Sequence, residues 1–153
     1  MTDKVFVDTN ILVYAHNVDA GVKNSIAREL VADLWETRSG ILSTQVLQEY
    51  FVAITKKVAN PIKVAEARRS LRNYCAWEVI VNDSQIILQA TEIQEAHRLS
   101  FWDSLIVSAA FAGNAATIVT EDLNHGQRIE GILIRNPFVT KPADKQRPRK
   151  PAC

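Results

Sequence analysis

Short apolar runs alternate along the chain with segments whose hydrophobic residues recur every three or four positions. Residues 4–7, 40–43, 77–81, 116–119 and 132–134 are compact runs rich in Val and Ile, bounded by turn-forming or polar residues, and each predicts a short buried strand. Between them, Ile26, Leu30, Val31 and Leu34 mark one face of a helix over 20–38. Val46, Leu47, Tyr50, Phe51 and Ile54 mark a second helix, which should stop near Asn60-Pro61. Pro61 suits the first turn of a third helix, through Val64, Ala67 and Leu71. Asn82-Asp83-Ser84 predicts the cap of a helix reaching about His97. A further helix begins near Trp102-Asp103 and ends at Gly113-Asn114, a left-handed stop. Asp8-Thr9-Asn10 reads as a turn after the first strand. Near-continuous apolar strands alternating with helices imply a parallel sheet covered on both faces, an α/β/α sandwich of about five strands.

Length and charge narrow the class. With 153 residues, 47 % of them hydrophobic, the chain suits one domain that buries roughly 70 % of its unfolded surface without metal or disulfide staples. The folded domain is expected over residues 1–139, with a basic, Pro-rich, unpacked tail over 140–153. Residues 141–153 hold five basic residues against one acid; since the whole chain is +1, residues 1–140 carry −3. Such a tail is either a solubilising extension or an arm for phosphate backbones. The cysteines, Cys75 and Cys153, give no disulfide framework, and Cys75 is expected to be a small buried hydrophobe. No signal peptide is evident, and the longest uncharged stretch, 104–120, is too short and too polar to span a bilayer. A cytoplasmic location is expected.

Candidate chemistry lies in four acids. Asp8 follows the first strand and Asp122 lies just beyond the fourth. Parallel sheets bind ligands at the carboxyl ends of their strands. Asp103 opens the helix that feeds the fourth strand, so it belongs to the same edge; Glu49, about one and a half turns into its helix, can face that edge too. Each acid alone has a structural explanation: Asp8 and Asp122 as caps or turn residues, Ser100-x-x-Asp103 as a capping box with Asp in place of Glu, Glu49 as a solvated helix residue. Gathered on one rim they would repel one another and call for a cation. Oxygen ligands without nearby Cys or His favour Mg²⁺ or Mn²⁺ over zinc, and such ions suit phosphodiester hydrolysis. His16, His97 and His125 share no metal-like spacing, and no Gly-rich phosphate loop is present.

At these residues the chain resembles PIN-domain ribonucleases, specifically VapC-type toxins of toxin–antitoxin pairs. The resemblance covers about residues 1–139. It is carried by Val5-Phe-Val-Asp8-Thr-Asn10-Ile-Leu-Val-Tyr-Ala15, by Glu49, by Trp102-Asp103-Ser104-Leu-Ile, by Val119-Thr-Glu-Asp122-Leu-Asn-His-Gly126, and by Asn136-Pro137-Phe138. It implies an endonuclease cutting single-stranded or loop RNA with Mg²⁺ or Mn²⁺. Asp8, Asp103 and Asp122 would be metal ligands and Glu49 an acid that holds or activates water. Thr9, Asn10, Ser104 and Thr120 would support them. Glu121 or Asp122 could be the inward acid; the Thr-x-Asp spacing favours Asp122. The resemblance further implies an RNA substrate, a homodimer and a cognate antitoxin lying in a groove beside the site. Trp35, Tyr50, Phe51 and Trp102 could line that groove or belong to the core. Lys56, Lys57, Arg68, Arg69 and Arg72 could follow an RNA backbone or form a solvated helix face. A non-catalytic RNA-binding module is the alternative, and a Mg²⁺-dependent phosphatase a weaker one, because Asn10 stands where such enzymes place a second acid.

Overall fold

In the computed structural model of the protein, residues 3–139 are described. The expected tail, 140–153, lies outside the described residues. Six strands form one sheet in the order β3-β2-β1-β4-β6-β5. β1 (Val5–Val7), β2 (Gly40–Ser43), β3 (Glu78–Ile80), β4 (Thr117–Val119) and β6 (Ile132–Arg135) run parallel to one another. The sixth, β5 (Arg128–Ile129), is a two-residue strand antiparallel to β6. It was not among the expected strands, being too short to leave an apolar run. Glu130 and Gly131, both at positive φ (52° and 81°), make the tight two-residue link that a hairpin needs.

The core is continuous across the sheet. Phe6, Val7, Ile41, Leu42, Ile118, Val119 and Ile134 are all fully buried, as parallel strands covered on both faces require. Helices α2 (Val22–Thr37), α5 (Ser84–His97) and α6 (Phe101–Ala112) fall where the periodicity placed them. α5 and α6 start on side-chain caps from Asp83 and Ser100.

Elsewhere local chemistry departs from the expected boundaries. Asp8-Thr9-Asn10 is not a free turn: Asp8 caps α1 (Thr9–His16), whose Ile11 and Leu12 are buried. α3 (Thr44–Val52) does not run on to Asn60; it passes into a π-helical turn, Ala53–Lys57. Pro61 precedes α4 (Val64–Tyr74) instead of lying in its first turn, because Ile62 N–H donates to the Ile54 carbonyl (3.0 Å) and keeps that segment off the helix. At the end of α6 the left-handed residue is Asn114 (φ 59°), while Gly113 has φ −86°. Gly113 answers a different need: a Cβ there would come within 3.1 Å of Ile80 and 3.3 Å of Ile41. Cys75 is exposed, since the inward place at the end of α4 goes to Tyr74. Among the described residues no helix is long and apolar enough to cross a membrane.

Candidate active site

The carboxyl ends of β1 and β4 lie side by side, paired through Val7 and Val119, so the residues after them meet. Asp8 N–H donates to the Val119 carbonyl (3.0 Å), which locks the two strand ends together. Asp8 is 5 % exposed. Its Oδ1 accepts from Thr9 N–H (2.7 Å) and its Oδ2 from the Thr120 hydroxyl (2.7 Å). Burial pushes its pKa up to about 7; those two hydrogen bonds pull the other way, and the charges of Asp122 and Glu49 raise it further.

The other acids are placed by their own elements. Glu49, on α3, accepts from the Thr9 hydroxyl at Oε1 (2.6 Å) and from Gln45 Nε2 at Oε2 (3.1 Å). Asp103, in the first turn of α6, rides on a cap: Ser100 Oγ accepts from its N–H (3.1 Å), and the Ser104 hydroxyl donates to the Ser100 carbonyl (2.8 Å). Burial raises the Asp103 pKa, the Ser100 hydroxyl lowers it, and Asp122 and Glu49 raise it again. Asp122 accepts from Asn10 Nδ2 (3.0 Å), and its N–H donates to Thr120 Oγ1 (3.0 Å). All four acids line one open cleft of about 640 Å³. None takes part in an ion pair among the described residues. As the side chains stand, no group of three or more His, Cys, Asp or Glu among the described residues is disposed to hold one ion. Glu49 and Asp122 are both exposed, and Asp103 is half-buried.

Glu121 faces elsewhere. It accepts from Tyr14 OH (2.7 Å) and pairs with Lys23. Burial works to raise its pKa, but those two partners hold it below the usual range. Thr9 bonds Asp8 and Glu49, Thr120 bonds Asp8 and Asp122, and Asn10 bonds Asp122, whereas Ser104 acts on the turn beneath Asp103. Of the aromatic candidates, Tyr50 is buried and Phe51 packs against the core. Trp35 stacks on Tyr74 at 5.9 Å, and Trp102 lines the cleft. His97 bonds Glu130 (3.0 Å) and His125 accepts from Asn136 N–H (3.0 Å), while His16 packs edge-on to Tyr50. Gln45 was not anticipated. It braces Glu49 and also reaches the Trp102 carbonyl (3.4 Å); its position four residues before Glu49 on one helix was the available signal.

Comparisons with known proteins give the family and the fold. A family model for the PIN domain matches residues 5–128. The chain belongs to the PIN-domain family. No curated relative matches the sequence significantly. Among solved structures, this PIN domain is similar to a toxin–antitoxin complex from Klebsiella pneumoniae, with 17 % identity and a TM-score of 0.65 over 88 % of this chain and 98 % of that one. It is similar to DNA-bound VapBC from Salmonella typhimurium, with 22 % identity and a TM-score of 0.62 over 89 % and 99 % of the two chains. It also resembles the sarcin-ricin loop cleaving toxin VapC20 of Mycobacterium tuberculosis, with 21 % identity and a TM-score of 0.59 over 75 % and 87 %.

Proposed function

We propose that this PIN domain is a divalent-metal-dependent endoribonuclease, the toxin of a type II toxin–antitoxin pair, acting in the cytoplasm. One observation carries the reading. Asp8, Glu49, Asp103 and Asp122 line a single cleft, two of them with pKa values raised by burial and by the other two, and among the described residues no side-chain cation is paired with any of them. An all-oxygen donor set of this charge fits Mg²⁺ or Mn²⁺. Asp8, Asp103 and Asp122 would hold the metal. Bound there, it would acidify a water and offset the charge of a phosphodiester.

The chain's own residues do the rest. Thr9 N–H and the Thr120 hydroxyl fix the direction of both Asp8 oxygens. Asn10 restrains Asp122 across the cleft. Glu49, with Oε1 tied to the Thr9 hydroxyl and Oε2 to Gln45, is oriented to accept a proton from an attacking water. The VapBC and toxin–antitoxin neighbours support a cognate antitoxin as partner, the RNA-cleaving neighbour supports RNA as substrate, and a homodimer is proposed with them. The test is cleavage of structured RNA by purified protein with Mg²⁺ or Mn²⁺. Asp8→Asn should reduce the rate at least a hundredfold (about the scale of one catalytic electrostatic group) with an unchanged circular dichroism spectrum. A variant that cuts as fast as the parent would falsify the assignment.

A further inference from the structure

Two cleft residues, Trp102 and Lys57, have no part in the chemistry above. Trp102 exposes 62 % of its surface although it lines the cleft beside Asp103. It is nevertheless held in place: its ring packs edge-on to Phe101 at 5.1 Å, and its carbonyl accepts from Gln45. Lys57 ends a stripe of cleft-lining residues at every fourth position, Gln45, Glu49, Ala53 and Lys57. In an unbroken α-helix, advancing roughly 100° per residue, Lys57 would drift about 120° from the line of Gln45. The π turn, closed by Val58 N–H to the Ala53 carbonyl (3.1 Å), winds less per residue and offsets that drift. π-helical turns are frequent at functional sites.

The stripe therefore runs from the Trp102 end of the cleft to a lysine, at most roughly 18 Å away along the helix axis. No ion pair among the described residues uses Lys57. We infer that Trp102 and Lys57 are two anchors for an RNA strand in this cleft: one base stacks on the Trp102 indole, and a backbone phosphate further along pairs with Lys57 Nζ. On the stripe, Glu49 stands between the Gln45 contact with Trp102 and Lys57. A base must be out of a duplex to stack on a side chain, which suits the single-stranded or loop RNA that the family resemblance implies. The inference rests on the ribonuclease reading for its chemistry but not for binding.

The test measures binding of a short labelled oligoribonucleotide to the full chain carrying Asp8→Asn, with Mg²⁺ present. The single strand should bind more tightly than the same sequence in a duplex. Adding Trp102→Ala should weaken single-strand binding roughly ten- to a hundredfold, and Trp102→Phe should restore most of it. On an abasic strand Trp102→Ala should make no difference. Lys57→Ala should weaken all single strands alike and reduce the salt slope by about 0.7. Equal binding by Trp102→Ala, an equal loss on the abasic strand, an unchanged slope for Lys57→Ala, or an effect confined to binding of a protein partner would each overturn the inference. A parent chain that shows the expected pattern but cuts no RNA would sink the ribonuclease reading alone.

Discussion

At Asp8 two hydrogen bonds favour the carboxylate while near-complete burial disfavours it, and burial prevails, leaving the pKa at about 7 against an ordinary 3.8. The folded state then binds a proton more tightly than the unfolded chain. In the absence of metal, stability is therefore highest below about pH 4 as far as this group is concerned, and is lost as pH rises towards 7. The difference is of the order of 4 kcal/mol. Asp8→Asn removes it, so the variant should melt several degrees above the parent at pH 8 and with no such advantage at pH 4, by calorimetry in a chelator. The four acids were legible in the sequence because each stands at a strand end or on a helix facing the same sheet edge. Choosing between Glu121 and Asp122 was less secure. The two are adjacent, and what separates them is the neighbour each meets: Tyr14 and Lys23 for one, Asn10 for the other. Cys75 misled for a similar reason, since its exposure follows from Tyr74 taking the inward position.

Among the elements, β2 is held against the end of the Trp35–Tyr74–Trp77 aromatic cluster, with Trp77 packed edge-on to Trp35 and Tyr74 at 5.4 and 5.5 Å. Gly40 opens that strand, and a Cβ there would lie 2.3 Å from the Trp77 ring. Gly40→Ala should therefore destabilise the fold by about 1–3 kcal/mol, read as a lower urea midpoint at unchanged m-value. Strands and the longer helices could be read from apolar spacing, because burial on one or both faces leaves that period in the sequence. The elements that could not be read are those set by a single interaction. α1 depends on Asp8 serving as its cap, the π turn on a wider hydrogen bond from Val58, and the two-residue β5 on the hairpin at Glu130-Gly131. None of these leaves a period behind.

For the molecule as a whole, the sandwich was legible because alternating strands and helices admit few topologies. The cleft's lining was only partly legible, since Gln45 and the placement of Lys57 depend on the course of α3. A ligand that binds only the folded state raises its stability by mass action. Saturating Mg²⁺ or Mn²⁺ should therefore raise the melting temperature of the parent at pH 8 by several degrees and that of Asp8→Asn by much less, measured by thermal shift.

The strand order also governs when the cleft can exist during synthesis. β1 is the first strand to leave the ribosome, yet it pairs on one side with β4, whose register runs from Val5 with Thr117 to Val7 with Val119. Thr120, which fixes Asp8, follows at once. A nascent or truncated polypeptide ending before that point lacks both Thr120 and Asp122. Translation must run almost to the end of the domain before the four-acid cleft can assemble, so under the proposed function fragments from interrupted messages should be inert.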